Sequence, residues 1–136
     1  MSVAMSVTYE GNLRCRAVHE PSGSVLETDA PVDNGGQGAL FSPTDLVGAA
    51  LGACMLTIMG KLAERRGISL EGAELHVEKA MVADPQRRIG TIAVRVAMPA
   101  GIDPALRPLF ENGARSCPVL NSLDPRIEKT VSFEWR

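Results

Sequence analysis

The segment between Ser42 and Gly67 restricts the fold of this chain more than any other. Ser42 offers a hydroxyl as N-cap, Pro43 fits the first helical position, and Asp45 sets a carboxylate at the positive end of the helix dipole. Arg65 and Arg66 suit a last turn and Gly67 a left-handed cap, so a helix should end there. Nearly every position in 46–62 is apolar or small, a pattern that predicts a helix covered on most sides. Gly48 and Gly52 stand one turn apart. Each costs about 1 kcal/mol of helix propensity relative to alanine, a cost that makes sense if another helix crosses closely there. The charge-free run 46–60 holds fifteen residues. At about 1.5 Å per residue it falls short of a hydrocarbon layer of roughly 30 Å, so a buried core helix is expected and not a membrane span.

The chain has 136 residues, which predicts one domain, 1–136. With 45% hydrophobic and 22% charged residues it has the composition of a globular protein, not of a disordered, fibrous or integral membrane one. Three Phe, one Tyr and one Trp are too few for base-stacking platforms, and the net charge of −2 gives no pull on phosphate backbones, so nucleic acid is not expected as a partner. The first seven residues have neither a basic start nor an apolar run, so no signal peptide is expected and the cytoplasm is the expected compartment. Three cysteines, an odd number, then point to reactive or simply buried thiols over structural disulfides.

Around the helix the pattern is strand-like. Residues 3–9, 13–19 and 24–28 read as a meander of hairpins. The segment 33–38 has no bulk with which to pack, and a mobile loop is expected. Leu75, Val77 and Met81 mark one face of a strand over 73–82, and Ile92, Val94, Val96 and Met98 mark the next, with Asp84-Pro85-Gln86 as the turn. A second helix should run from Pro108 to about residue 116, and Cys117-Pro118 should restart a short one with Cys117 as N-cap. A last strand over 127–135 turns Val131, Phe133 and Trp135 inward. The order predicts an α+β fold with largely antiparallel sheet, in which a second subunit helps to bury the apolar helix.

The residues able to carry chemistry are few. Cys54 sits mid-helix among apolar neighbours. Cys117, at a helix start, meets free N–H groups that favour its thiolate. Cys15, between Arg14 and Arg16, has no acid or base beside it and reads as structural. The spacing of His19, His76 and the cysteines suits no metal, and Gly35-Gly36-Gln37-Gly38 is neither a dinucleotide fingerprint nor a phosphate loop, so no metal or cofactor is expected.

Taken in order, the Gly-rich loop, Ser42-Pro43-Thr44-Asp45-Leu46, Ala49-Ala50-Leu51-Gly52-Ala53-Cys54 and the later Cys117-Pro118-Val119 resemble the OsmC/Ohr family of osmotically inducible and organic hydroperoxide resistance proteins, across about residues 8–135. The resemblance implies an intertwined homodimer, with antiparallel sheet packed on a long buried central helix and two sites at the interface. It also implies thiol-dependent reduction of organic hydroperoxides, with a dithiol or lipoyl-type donor restoring the thiols. The implied roles are Cys54 as attacking thiol and Cys117 as resolving thiol.

Well-studied members activate the attacking thiol with an Arg held by a carboxylate from the turn that opens the central helix. Thr44 occupies the position that carries Glu in those members, and Asp45 is the only carboxylate in the turn. Asp45 lies nine residues before Cys54, and at about 100° per residue the two leave the helix on opposite sides. No Arg lies between Arg16 and Arg65, which leaves Arg14 and Arg16 as the candidates for that role, and alternation puts both on one face. The candidate site is therefore Cys54, Cys117, Arg16 and Asp45, with Arg14 as the alternative to Arg16. Helix position alone nominates Cys117 as the attacking thiol. The resemblance nominates Cys54, the choice made here, with Cys117 expected nearer the surface. Two rival readings are a non-enzymatic protein holding a hydrophobic small molecule and a redox sensor.

Overall fold

The computed structural model describes residues 1–136 and divides into two units, Met1–Leu46 and Val47–Arg136. The first is the expected meander. Strands β1 (Met5–Gly11), β2 (Arg14–His19) and β3 (Val25–Asp29) pair antiparallel in chain order. Asn12 and Leu13 close the first hairpin with φ of 55° and 63°. A turn of this hand matches the strand twist and suits asparagine, whereas a left-handed leucine costs about 1–2 kcal/mol. One face of the sheet carries Val7, Tyr9 and Leu26, all exposed in the single chain. The other carries Arg14, Arg16, Glu27 and Asp29.

The segment expected to be a mobile loop is folded through its backbone instead. A 3-10 turn spans Val32–Asn34, and Gly35 follows at φ 89°. The amides of Gly36 and Gly38 donate to the carbonyls of Pro31 and Ala30 at 3.0 and 3.3 Å. The amide of Ala39 donates to the Asp29 carboxylate at 3.1 Å. A Cβ on Gly36 would lie 1.8 Å from the Ala30 carbonyl oxygen, so the missing side chain is what lets the strap lie against β3.

Helix α1 (Pro43–Glu64) begins and ends where its capping residues place it. The Asp45 amide donates to the Ser42 hydroxyl at 3.1 Å and the Ser42 amide to the Asp45 carboxylate at 2.9 Å, a reciprocal capping box. At the far end Gly67, at φ 65°, donates to Glu64, and the Ile68 amide donates to Ala63 at 3.0 Å. This double bond pattern satisfies the carbonyls of the last turn. At 22 residues α1 exceeds the fifteen-residue apolar run and is long and apolar enough, by length and composition, to cross a membrane. That corrects the length argument alone, since Leu51, Met55, Met59 and Ala63 of α1 lie in the hydrophobic core as expected.

The cover on α1 is narrower than expected. Gly48, Leu51, Gly52, Met55, Met59 and Ala63 form one buried stripe, while Ala49, Ala50, Ala53 and Thr57 are exposed in the single chain. The element that crosses at the glycines is a strand, not a helix. A Cβ on Gly48 would meet Val77 at 3.3 Å and one on Gly52 would meet Leu75 at 2.8 Å.

The second unit sets this stripe against β4 (Glu74–Val82), β5 (Arg88–Met98) and β6 (Glu128–Trp135), ordered β4-β5-β6. The first two form the expected antiparallel hairpin, but β6 runs parallel to β5. A parallel pair needs a crossover, supplied here by α2 (Arg107–Arg115) and α3 (Pro118–Ser122). The fold is α+β and largely antiparallel. Central strand β5 contributes Ile92, Val94, Val96 and Met98 to the core beside Leu51, Met55, Met59 and Phe110. The crossover is fixed to β6 where the Trp135 indole donates to Glu111 at 3.1 Å and Arg115 donates to the Val131 carbonyl at 3.1 Å.

Two glycine substitutions should move stability in opposite directions, as read by denaturant midpoints. Gly36→Ala, which forces a methyl into the Ala30 carbonyl, should destabilise by about 1–3 kcal/mol. Gly60→Ala, with nothing within 4 Å of the new Cβ, should stabilise by up to about 1 kcal/mol.

Candidate redox site

Cys54, Ile58 and Leu62 follow one another at single-turn spacing along α1. That edge faces α2, because a Cβ on Gly113 would lie 2.5 Å from Leu62 and 3.7 Å from Ile58. Glycine at this position lets the two helices approach closely. One turn further along α1 is Cys54, and four residues beyond Gly113 is Cys117. The crossing therefore brings the two thiols close enough for Cys54 to bear on the ionisation of Cys117.

Cys117 reaches this position because the chain breaks there. The amides of Ser116 and Cys117 close the end of α2 on Gly113 and Ala114, and Pro118 then starts α3. Cys117 is the N-cap that the sequence predicts: its sulfur accepts the Leu120 amide at 3.3 Å, and its carbonyl accepts the Asn121 amide.

Two expectations about Cys117 are overturned. It is fully buried, whereas Cys54 is half-buried, so Cys117 is not the thiol nearer the surface. Burial pushes its thiol above the ordinary value of 9.0, and the neighbouring Cys54 thiol adds to the rise, together outweighing the opposing Leu120 amide. The helix-start argument has the right sign, but desolvation is the larger effect. Cys117 therefore stays protonated.

The remaining candidates lie in the first unit. Arg14 pairs with Asp29 at 3.7 Å, and Asp29 is only 1% exposed. Arg16 is exposed on β2, between Thr8 and Glu27 in the register. Asp45 closes the capping box of α1. Cys15 is half-buried beside Tyr9 and Thr28. Sequence reasoning missed Asp29, which ends β3 directly opposite Arg14. Extending the third strand by one residue and pairing it antiparallel would have exposed the match. No cluster of three His, Cys, Asp or Glu side chains forms a metal-binding group.

The sequence pattern described as OsmC-like protein matches residues 36–132. Among solved structures, a protein of Psychrobacter arcticus 273-4 described as an osmotic stress induced and detoxification response protein is 41% identical, with 96% of this chain and 94% of that one covered and a TM-score of 0.90. An organic hydroperoxide resistance protein OsmC of Legionella pneumophila is 19% identical, with 98% and 97% covered and a TM-score of 0.78. The organic hydroperoxide resistance protein OhrB of Bacillus subtilis is 15% identical, with 98% of each chain covered and a TM-score of 0.71. At these lower identities the likeness is one of fold. None of the curated proteins matches the chain.

The thiol geometry predicts a pH-dependent alkylation pattern. Iodoacetamide should modify Cys54 well before Cys117 at pH 8, and Cys117 should react appreciably only above its ordinary value of 9.0, as peptide mass mapping would show. The same raised value means that the fold favours the neutral thiol. Its contribution to stability is complete below pH 9.0 and is lost as pH rises above it, so the thermal midpoint should fall in that range in wild type and less in Cys117→Ala.

Proposed function

The chain belongs to the OsmC-like family, and on that premise we propose that it is a thiol-dependent peroxidase acting on organic hydroperoxides. The observation that carries the reading is the pairing of a half-buried Cys54 with a buried, protonated Cys117 beside it. Cys54 is the thiol a substrate can reach. Its thiolate attacks the terminal peroxide oxygen, the O–O bond breaks, and the alcohol leaves with a proton while Cys54 becomes a sulfenic acid. The Cys117 sulfur then displaces water from that sulfenic acid, its own proton leaving with the hydroxyl, and a Cys54–Cys117 disulfide results. A dithiol or lipoyl-type donor returns both thiols by exchange.

Burial suits Cys117 to this second step. A neutral, water-excluded thiol beside Cys54 is kept from reacting with peroxide itself and is placed to close the disulfide. The positive charge required by the thiolate and the departing alkoxide is assigned to Arg14 or Arg16, and the ion pair with Asp29 makes Arg14 the better held of the two. Asp45 enters the reading as the residue that fixes the start of α1. We place the protein in the cytoplasm as a homodimer. Support for the dimer comes from apolar surface left open in the single chain, Val7, Tyr9 and Leu26 on the first sheet and the Ala49, Ala53 and Thr57 stripe of α1.

Variants separate this reading from the binding-protein and sensor alternatives. Cys54→Ser should abolish consumption of cumene hydroperoxide and leave Cys117 unmodified. Cys117→Ser should consume about one equivalent and trap a sulfenic acid at Cys54 that a dimedone-type probe labels, with excess peroxide driving it to sulfinic acid. Cys15→Ser should turn over like wild type. A probe found on Cys117 in the Cys54→Ser protein would exchange the two roles. Wild type that keeps all its thiols would favour the binding protein, and thiol loss without turnover on added dithiol would favour the sensor.

A further inference from the structure

We infer that the outward face of the second sheet binds a small zwitterion, an α-amino acid whose carboxylate meets Arg95 and whose ammonium meets Glu78. A cavity of about 420 Å³ opens on this face, with His76, Glu78, Ala93, Arg95 and Ser132 among its walls. Small-molecule pockets run from roughly 300 to 1,000 Å³, so the space suits a ligand of this size. Leu75 and Val77 turn the other way, against α1, and Val94 and Val96 lie in the core. The sheet itself therefore separates the cavity from the two thiols, and the inference goes beyond the peroxidase reading.

Strand register brings these side chains together. His76 stands opposite Arg95 and Arg95 opposite Ser132, so one row across β4, β5 and β6 carries an imidazole, a guanidinium and a hydroxyl. Glu78 pairs with Ala93, which sets it on the diagonal from Arg95, roughly 7–8 Å away and within reach of two long side chains. Even so, Arg95 and Glu78 form no ion pair or side-chain hydrogen bond, with each other or with any other group. The planar fork of Arg95 is free to take a carboxylate in bidentate fashion. The Ser132 hydroxyl can turn toward the same ligand, because its contact with the Val94 carbonyl is 3.5 Å, longer than the usual O–H···O distance of about 2.5–3.0 Å.

The hollow itself has a cause in the sequence. On either side of Arg95 the outward positions of β5 are Ala93 and Ala97, although alanine is depleted in strands, where branched and aromatic side chains pack better. Charge balance then selects the ligand class. A plain anion on Arg95 would face Glu78, and a plain cation on Glu78 would face Arg95, each repelled by its second neighbour. Glu74 and Glu134, which flank Ala97 in the next row, disfavour a lone anion further. A molecule that carries both charges a bond or two apart satisfies Arg95 and Glu78 together.

The test is a titration of the full chain with L-alanine, followed by amide NMR so that weak binding is read and located. L-Alanine should shift the amides of His76, Glu78, Ala93, Arg95 and Ser132 saturably. L-Alaninamide, which lacks the carboxylate, and N-acetyl-L-alanine, which lacks the ammonium, should each bind about tenfold more weakly. Arg95→Gln should erase the preference for L-alanine over its amide, and Glu78→Gln the preference over its N-acetyl form. Both substitutions lie on an exposed sheet face, so the remaining amide resonances should keep their wild-type positions. N-Acetyl-L-alanine binding as tightly as L-alanine would show a site for anions only and overturn the assignment. Shifts that do not saturate, or that map away from β4, β5 and β6, would overturn the site altogether.

Discussion

The redox reading of this protein depends on the close crossing of α1 over Gly113. A side chain there would collide with Leu62 and hold the helices apart, and the thiol one turn beyond Ile58 would not meet the thiol that opens α3. The crossing is itself supported from below. Gly48 and Gly52 let the same helix settle onto Val77 and Leu75 of β4, and Phe110 and Ala114 seat α2 in the same core as Met55 and Met59. The redox pair is thus built on rigid elements. Its geometry follows from three places where a missing Cβ lets the backbone come close.

The electrostatics of the pair follow from depth. At the start of α3, the Leu120 amide pulls the Cys117 thiol toward ionisation, but the sulfur is fully buried and desolvation pushes harder the other way. A thiol held neutral beside a more accessible one has a defined use. It stays unreactive while neutral and becomes a partner once the accessible sulfur has been oxidised. The difference in burial between Cys54 and Cys117 separates the roles more clearly than helix position does.

Much of the fold was legible because its signals are local. Ser42, Pro43 and Asp45 mark the start of α1, Gly67 its end, and Cys117-Pro118 the break before α3, each through a hydrogen bond made within a few residues. What depends on distant pairing was not legible. The parallel register of β6 on β5 is set by the crossover between them, and nothing in the alternation of Val131, Phe133 and Trp135 distinguishes parallel from antiparallel. The partner of Gly48 and Gly52 could equally be a helix or a strand until β4 is in place. The Gly-rich strap looked mobile because side chains were counted, whereas its order comes from backbone amides. Asp29 went unnoticed since its significance lies in being opposite Arg14, a fact of register.

The central claim is that Cys54 and Cys117 form one redox couple, and disulfide mapping tests it most directly. The fully reduced protein would be treated with one equivalent of cumene hydroperoxide, alkylated at remaining thiols, digested without reduction and mapped by mass spectrometry. The account predicts a cross-linked peptide joining Cys54 to Cys117, a chain mass lower by two hydrogens, and Cys15 recovered as the alkylated thiol. Recovery of Cys117 as a free thiol, with Cys54 either untouched or carried to sulfinic acid, would contradict it.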